Sequence, residues 1–198
     1  MQVLRTINKH LLIKQTVKTL VSFVFLLITG SHLTAQKVYT KNGSISFFSK
    51  TSMENIDAKN NQVMSVLNTQ TGDLQFSVII KAFHFKKALM EEHFNENYME
   101  STKFPKASFK GVLKDISKID FAKDGSYGVI VSGDMNIHGV RRKITAPGVI
   151  NIKNGVPSAS SKFSIKLKDY NIVVPKVVRN NISETIEISL TSAYNQKM

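Results

Sequence analysis

From residue 38 to residue 193, apolar and polar residues mostly alternate with a period of two, and Gly, Asn and Asp interrupt the alternation every six to twelve residues. Successive side chains of a strand point to opposite faces, so this pattern predicts antiparallel sheet with one wet and one dry face. The expected fold class is all-β. A closed barrel satisfies the pattern best, because closure removes the exposed edges that otherwise pair with other chains.

The interruptions place the strands. Lys41-Asn42-Gly43 reads as a hairpin turn joining Val38 and Tyr39 to residues 44–50. Residues 62–68 and 74–80 flank Thr69-Gln70-Thr71-Gly72-Asp73 as a second hairpin, and 107–114, 127–138, 140–152, 158–167 and 184–193 supply five more strands. About eight strands result. Parity assigns their faces: Phe109 and Leu113; Val129, Val131, Met135 and Ile137; Phe163, Ile165 and Leu167; and Ile186, Ile188 and Leu190 point inward. Ser132, Lys110, Lys166 and Glu187 fall on the opposite, wet parity.

Two stretches break the period. Over residues 85–99 apolar residues fall at helical spacing, with Phe85 and Leu89 on one row and Met90, Phe94 and Tyr98 on the next, which predicts one amphipathic helix ended before Pro105. Residues 169–181, with Pro175 and four valines, read as a flap over one barrel end.

The first 35 residues read as a cleavable secretory leader. Arg5, Lys9, Lys14 and Lys18 form a basic start without an acid, residues 20–28 an apolar core, and Thr34-Ala35 a small-residue site that predicts cleavage after Ala35. That core is about half of the roughly 20 residues a membrane span needs. A periplasmic or secreted domain over 36–198 is the expectation. It contains no cysteine, which excludes a disulfide scaffold, a thiolate nucleophile and Cys-ligated metal. The leader's four cations leave +9 of the chain's +13 on the domain. Such a charge reads first as a solvated outer sheet face, as Lys162, Lys166 and Lys168 alternating with Phe163, Ile165 and Leu167 illustrate, and second as a surface that would attract anionic headgroups, a pyrophosphate-bearing ligand or polyanions; the leader and the absence of an Arg-interleaved aromatic platform argue against nucleic acid.

Catalytic and metal-binding patterns are missing. No nucleophile elbow, HExxH helix or phosphate-cradling loop occurs, and His84, His93 and His138 lack ligand spacing. Glu91 and Glu92 would diverge by about 100° on a helix. No catalytic residue, cofactor or metal is expected.

The segment Gly133-Asp134-Met135-Asn136-Ile137-His138-Gly139-Val140-Arg141-Arg142 resembles the signature hairpin of the YceI-like, or polyisoprenoid-binding, family, with Gly133, Met135, Ile137, His138, Gly139, Val140 and Arg142 at the matching positions. Arg141 stands where many members carry Thr. Upstream, Met90-Glu91-Glu92-His93-Phe94, then Tyr98-Met99-Glu100-Ser101 and Lys103-Phe104-Pro105-Lys106-Ala107-Ser108-Phe109, resemble the family's helix, corner and strand in the same order. The resemblance implies an extended lipocalin-like barrel, exported, whose interior holds a long isoprenoid or other lipid tail.

The residues converge on the same class. An eight-stranded barrel can just fill its interior or hold one slender ligand, and the small inward residues Ala107, Gly111, Gly133, Ala146, Gly148, Ala159 and Ser161 would leave room. The expected lining is Phe76, Val78, Ile80, Phe109, Leu113, Val129, Val131, Met135, Ile144, Phe163, Ile165 and Leu167, closed by Phe85, Leu89 and Phe94 from the helix. Arg142 shares inward parity with Ile144. It would either meet an anionic headgroup at the mouth or leave the barrel end beside Gly139, pairing with a carboxylate such as Asp134 or Glu184. The rival reading is a solid barrel whose basic exterior contacts anionic polymers or a partner protein. The sequence leaves the oligomeric state open, a dimer included.

Overall fold

A computed structural model describes residues 37–198; the expected leader and its cleavage site lie outside the described residues. The strands are β1 (Lys37–Lys50), β2 (Asn55–Asn68), β3 (Asp73–Ile79), β4 (His84–Phe85), β5 (Lys106–Leu113), β6 (Gly125–Ile137), β7 (Val140–Lys153), β8 (Val156–Lys166), β9 (Thr185–Ala193) and β10 (Gln196–Lys197). Eight of them close a barrel in the order β1-β9-β8-β7-β6-β5-β3-β2 and back to β1, with every pairing antiparallel. The two-residue strands β4 and β10 add to β2 and β1.

The turn expected at Lys41-Asn42-Gly43 is not a turn. Residues 37–50 form one continuous strand, and the register against β2 shifts on either side of Gly43. A two-residue hairpin of the favoured type needs positive φ at both central positions, and Gly43 lacks it. Its value lies in close packing: a Cβ here would sit 2.7 Å from Ser192 Oγ and 3.1 Å from the Val63 carbonyl. The irregularity reverses the strand's faces, so Val38 and Thr40 are buried before it and Gly43 and Ser49 after it. On β2 the reversal recurs between Asn60 and Val63. There the buried Asn60 amide donates to the Ile79 carbonyl at 2.8 Å and its side-chain oxygen accepts from Gln62 N at 2.7 Å. The Asn-Gly pair that does turn the chain is Asn154-Gly155, with φ of 52° and 71°, between β7 and β8.

The helix is also shorter than its apolar spacing predicts. Phe85 belongs to β4, paired with Ala58; helix α1 spans Ala88–His93 and continues as a π-helical turn, Phe94–Tyr98. Two polar groups set these limits. Glu91 turns its carboxylate back to accept Phe85 N at 3.1 Å, and Asn95 donates to the Glu91 carbonyl at 2.9 Å, where the ladder widens until Met99 N reaches the Phe94 carbonyl.

Candidate functional site

The inward faces do not fill the barrel. Two adjoining cavities remain, an outer one of about 260 Å³ at the end covered by α1 and a deeper one of about 110 Å³. The deep chamber is lined by Phe76, Phe109, Leu113, Val129, Val131, Met135, Ile144 and Phe163, and the outer one by Ile80, Phe85, Phe94, Ile165 and Leu167. Val78 lines both, as do Ile45, Ala107, Ile137 and Ile188, and these five form the partition between the chambers. The parity argument therefore brings fourteen of its sixteen residues to the cavities.

The other two lie elsewhere. Leu89 points away from the barrel on α1 and is exposed, because the row that faces inward is Met90, Phe94 and Tyr98. Arg142 is exposed at the start of β7 and touches neither chamber; its Nε donates to the Asp169 carbonyl at 2.9 Å, so a backbone oxygen satisfies it rather than an anion. Neither Asp134 nor Glu184 is its partner. The small residues also divide. Ala107, Ala146, Gly148, Ala159 and Ser161 border the cavities, but Gly111 pairs with Gly133 and the Phe109 ring lies over both, its Cζ within 2.5 Å and 2.8 Å of where their Cβ atoms would be. That glycine pair seats a ring and leaves no room.

Sequence reasoning missed the contribution of β1. Splitting the strand at Gly43 hid Ile45 and Phe47, yet Phe47 sits at the centre of an aromatic cluster, 5.4 Å from Phe83, 5.6 Å from Phe85 and 5.4 Å from Phe94 between ring centroids. The alternation Ile45-Ser46-Phe47 was the available signal. The expected flap does border the outer chamber, through Ile172, Val178 and Asn181, and Ile182 just past its expected end does so too.

Polar groups gather at the outer end. Glu54, in the β1–β2 turn, accepts from Lys87 Nζ at 2.9 Å and from Asn181 Nδ2 at 3.3 Å, so one carboxylate ties the approach to α1 and the flap to the same turn. The Lys87 bond, and after it the Asn181 bond, holds this carboxyl below the usual glutamate range. A second tie, Ser183 N to Ser49 Oγ at 2.9 Å, fastens the far end of the flap. Burial pushes the Tyr98 phenol above its ordinary range, so it lines the chamber as a neutral hydroxyl.

The signature residues His138 and Gly139 act beside the chamber. Both have positive φ, 52° and 75°, and form the two-residue turn from β6 to β7. The His138 ring places Nε2 2.7 Å from Glu100 Oε2 and Nδ1 3.2 Å from the Tyr170 carbonyl, while Phe104 packs edge-on against it at 4.6 Å. One imidazole thus anchors the segment that follows α1 and the segment that opens the flap. Of the other histidines, His84 lies 3.6 Å from Glu91 and His93 borders the outer chamber. Among the described residues no three acidic or imidazole side chains gather as a metal site.

A closed eight-stranded antiparallel barrel around a hydrocarbon-lined interior places the protein in the lipocalin-like class. Within that class the chain belongs to the family of YceI-like domains, whose family model matches residues 15–193. Solved structures share the architecture. A polyisoprenoid binding domain from Saccharophagus degradans, implicated in plant cell wall breakdown, superposes with a TM-score of 0.71 at 14% identity over 81% of this chain and 98% of that one. Burkholderia cenocepacia BcnA gives 0.60 at 11% identity over 76% and 95%, and a Campylobacter jejuni YceI protein 0.56 at 16% identity over 71% and 85%. At such identities the likeness is one of fold. No curated protein sequence matches the chain.

Proposed function

We propose that this protein is exported and binds a long, slender, apolar molecule of the isoprenoid kind within its barrel, to carry or sequester it, and that its role is binding rather than catalysis. The observation that carries the reading is the pair of adjoining chambers, about 260 and 110 Å³, walled almost entirely by hydrocarbon side chains. Moving a chain out of water into such walls is favourable by about 0.8 kcal/mol per CH₂, so a tail needs no polar contact to be retained. The binding ascribed to the Saccharophagus degradans domain supports the same reading.

The reading also accounts for the roof. Groups able to hydrogen-bond, Glu54, His93, Asn181 and Tyr98, border the outer chamber, where the polar end of a passenger would stop, whereas no charged side chain lines the deep chamber. Protein purified from its native envelope should show, by mass spectrometry under native conditions, a hydrophobic adduct that is lost on denaturation. Organic extraction identifies it. A barrel that carries no adduct and takes up no added polyprenol would overturn the proposal, and salt-sensitive binding to polyanions would then favour an interaction module.

A further inference from the structure

We infer that the open end of the barrel is a docking face for an anionic lipid bilayer. Three segments frame the outer chamber: the β1–β2 turn, the stretch leading through β4 into α1, and the flap over residues 171–183. Each of them exposes a large apolar side chain that has no role in the core. Met53 on the turn is 70% exposed, Leu89 on α1 is 61%, and Val173 and Val177 on the flap are 76% and 91%. Glu54 bonds both Lys87 and Asn181, so these segments are stitched to one another around the opening. Four isolated apolar residues scattered over a surface mean little; four shared among the three segments that frame an apolar cavity form a contact surface.

Charge selects the occupant. Lys176 and Arg179 bracket Val177 and Val178, Lys50 precedes the turn, and Arg141 and Lys143 are exposed beside the His138-Gly139 turn at the same end. None of these five cations forms an ion pair among the described residues. The exposed acids at this end, Asp57, Glu92, Glu96 and Glu184, are fewer, and Asp57 is paired with Lys86. Apolar tips flanked by free cations suit the acyl boundary and the phosphates of a bilayer together. Among the described residues no helix is long and apolar enough to cross a membrane; the contact inferred here is made by the tips of this rim. Docking in this orientation would put the chamber mouth against the lipid. It stands whether or not the chamber is occupied.

The absence of cysteine makes the test direct. Val177→Cys and, as a control on the outer barrel wall midway along β6, the exposed Ile130→Cys are each labelled with an environment-sensitive fluorophore in the full chain. Vesicles of phosphatidylcholine and phosphatidylglycerol should blue-shift the label at 177 and leave that at 130 unchanged, which binding through the leader alone would not do. Adding Lys176→Glu and Arg179→Glu should weaken the titration at least about tenfold, as should pure phosphatidylcholine. No shift at 177, equal shifts at both positions, or indifference to lipid charge overturns the inference. A shift at 177 that needs no vesicles and grows with protein concentration also overturns it, because a second copy then covers the rim.

Discussion

Gly139 and Gly155 occupy equivalent hairpin positions with nearly the same φ, 75° and 71°, but differ in their surroundings. A Cβ at 139 would lie 2.5 Å from the Phe104 ring, whereas one at 155 would meet nothing within 4 Å. Gly155→Ala should therefore cost only the backbone term, about 1–2 kcal/mol. Gly139→Ala adds displacement of Phe104 and, through it, of His138, for a further ~1–3 kcal/mol. Urea unfolding midpoints of the two variants make the comparison. Ala107 offers the complementary experiment, because it borders both chambers. A ring placed by Ala107→Phe has empty volume to enter, so stability should change by no more than about 1–2 kcal/mol while retention of a long adduct falls. Unchanged adduct length in native mass spectra would argue against a passenger spanning the partition.

Among the elements, the flap and the approach to α1 share one carboxylate, that of Glu54. Because Glu54 is held below its ordinary pKa when folded, its contribution is fully present above the unfolded glutamate range and is lost as pH falls through the lowered folded value. Glu54→Gln should reproduce the acid state at neutral pH. Amide exchange is expected to quicken over 84–93 and 171–183 while the barrel strands stay protected; uniform protection would show that the tie holds nothing. Most strands were legible in the sequence because they keep one wet and one dry face, and a period of two leaves only the register to find; β2, whose faces reverse between Asn60 and Val63, was legible only from residue 62 although it starts at Asn55. β1 was less so. Its faces reverse at Gly43 and a short-range turn signal coincides with the reversal, so only the partner strands reveal that the chain runs straight on. The helical row Met90, Phe94 and Tyr98 was readable, but not that Glu91 would reach back and hold Phe85 in a strand, a contact between side chain and backbone six residues apart. Arg142 keeps the inward parity of its neighbours, but it is the third residue of β7, at the barrel end, where its side chain leaves the interior to reach the Asp169 carbonyl, distant in sequence.

At the scale of the whole molecule, stability rests on packing without covalent staples, and the buried phenols mark where it fails. Tyr194 is buried with its hydroxyl 2.8 Å from Ser65 Oγ, and burial raises its pKa far above that of an exposed phenol, with smaller rises at Tyr170 and Tyr98. The unfolded chain would lose these protons first, near pH ~10, so stability should be level below that point and fall as pH rises through the folded values. Thermal midpoints followed into alkali, with Tyr194→Phe as the comparison, check it; the variant's decline should be shallower. The partition between the chambers has a different consequence. Its members are two isoleucines from the first and ninth strands, a third from the sixth, one valine and one alanine, with no aromatic ring among them. Under the proposed function such a collar would sort guests by girth before length: a supple thread would slip past by turning its methyl branches in succession, while a rigid fused-ring molecule would lodge in the antechamber.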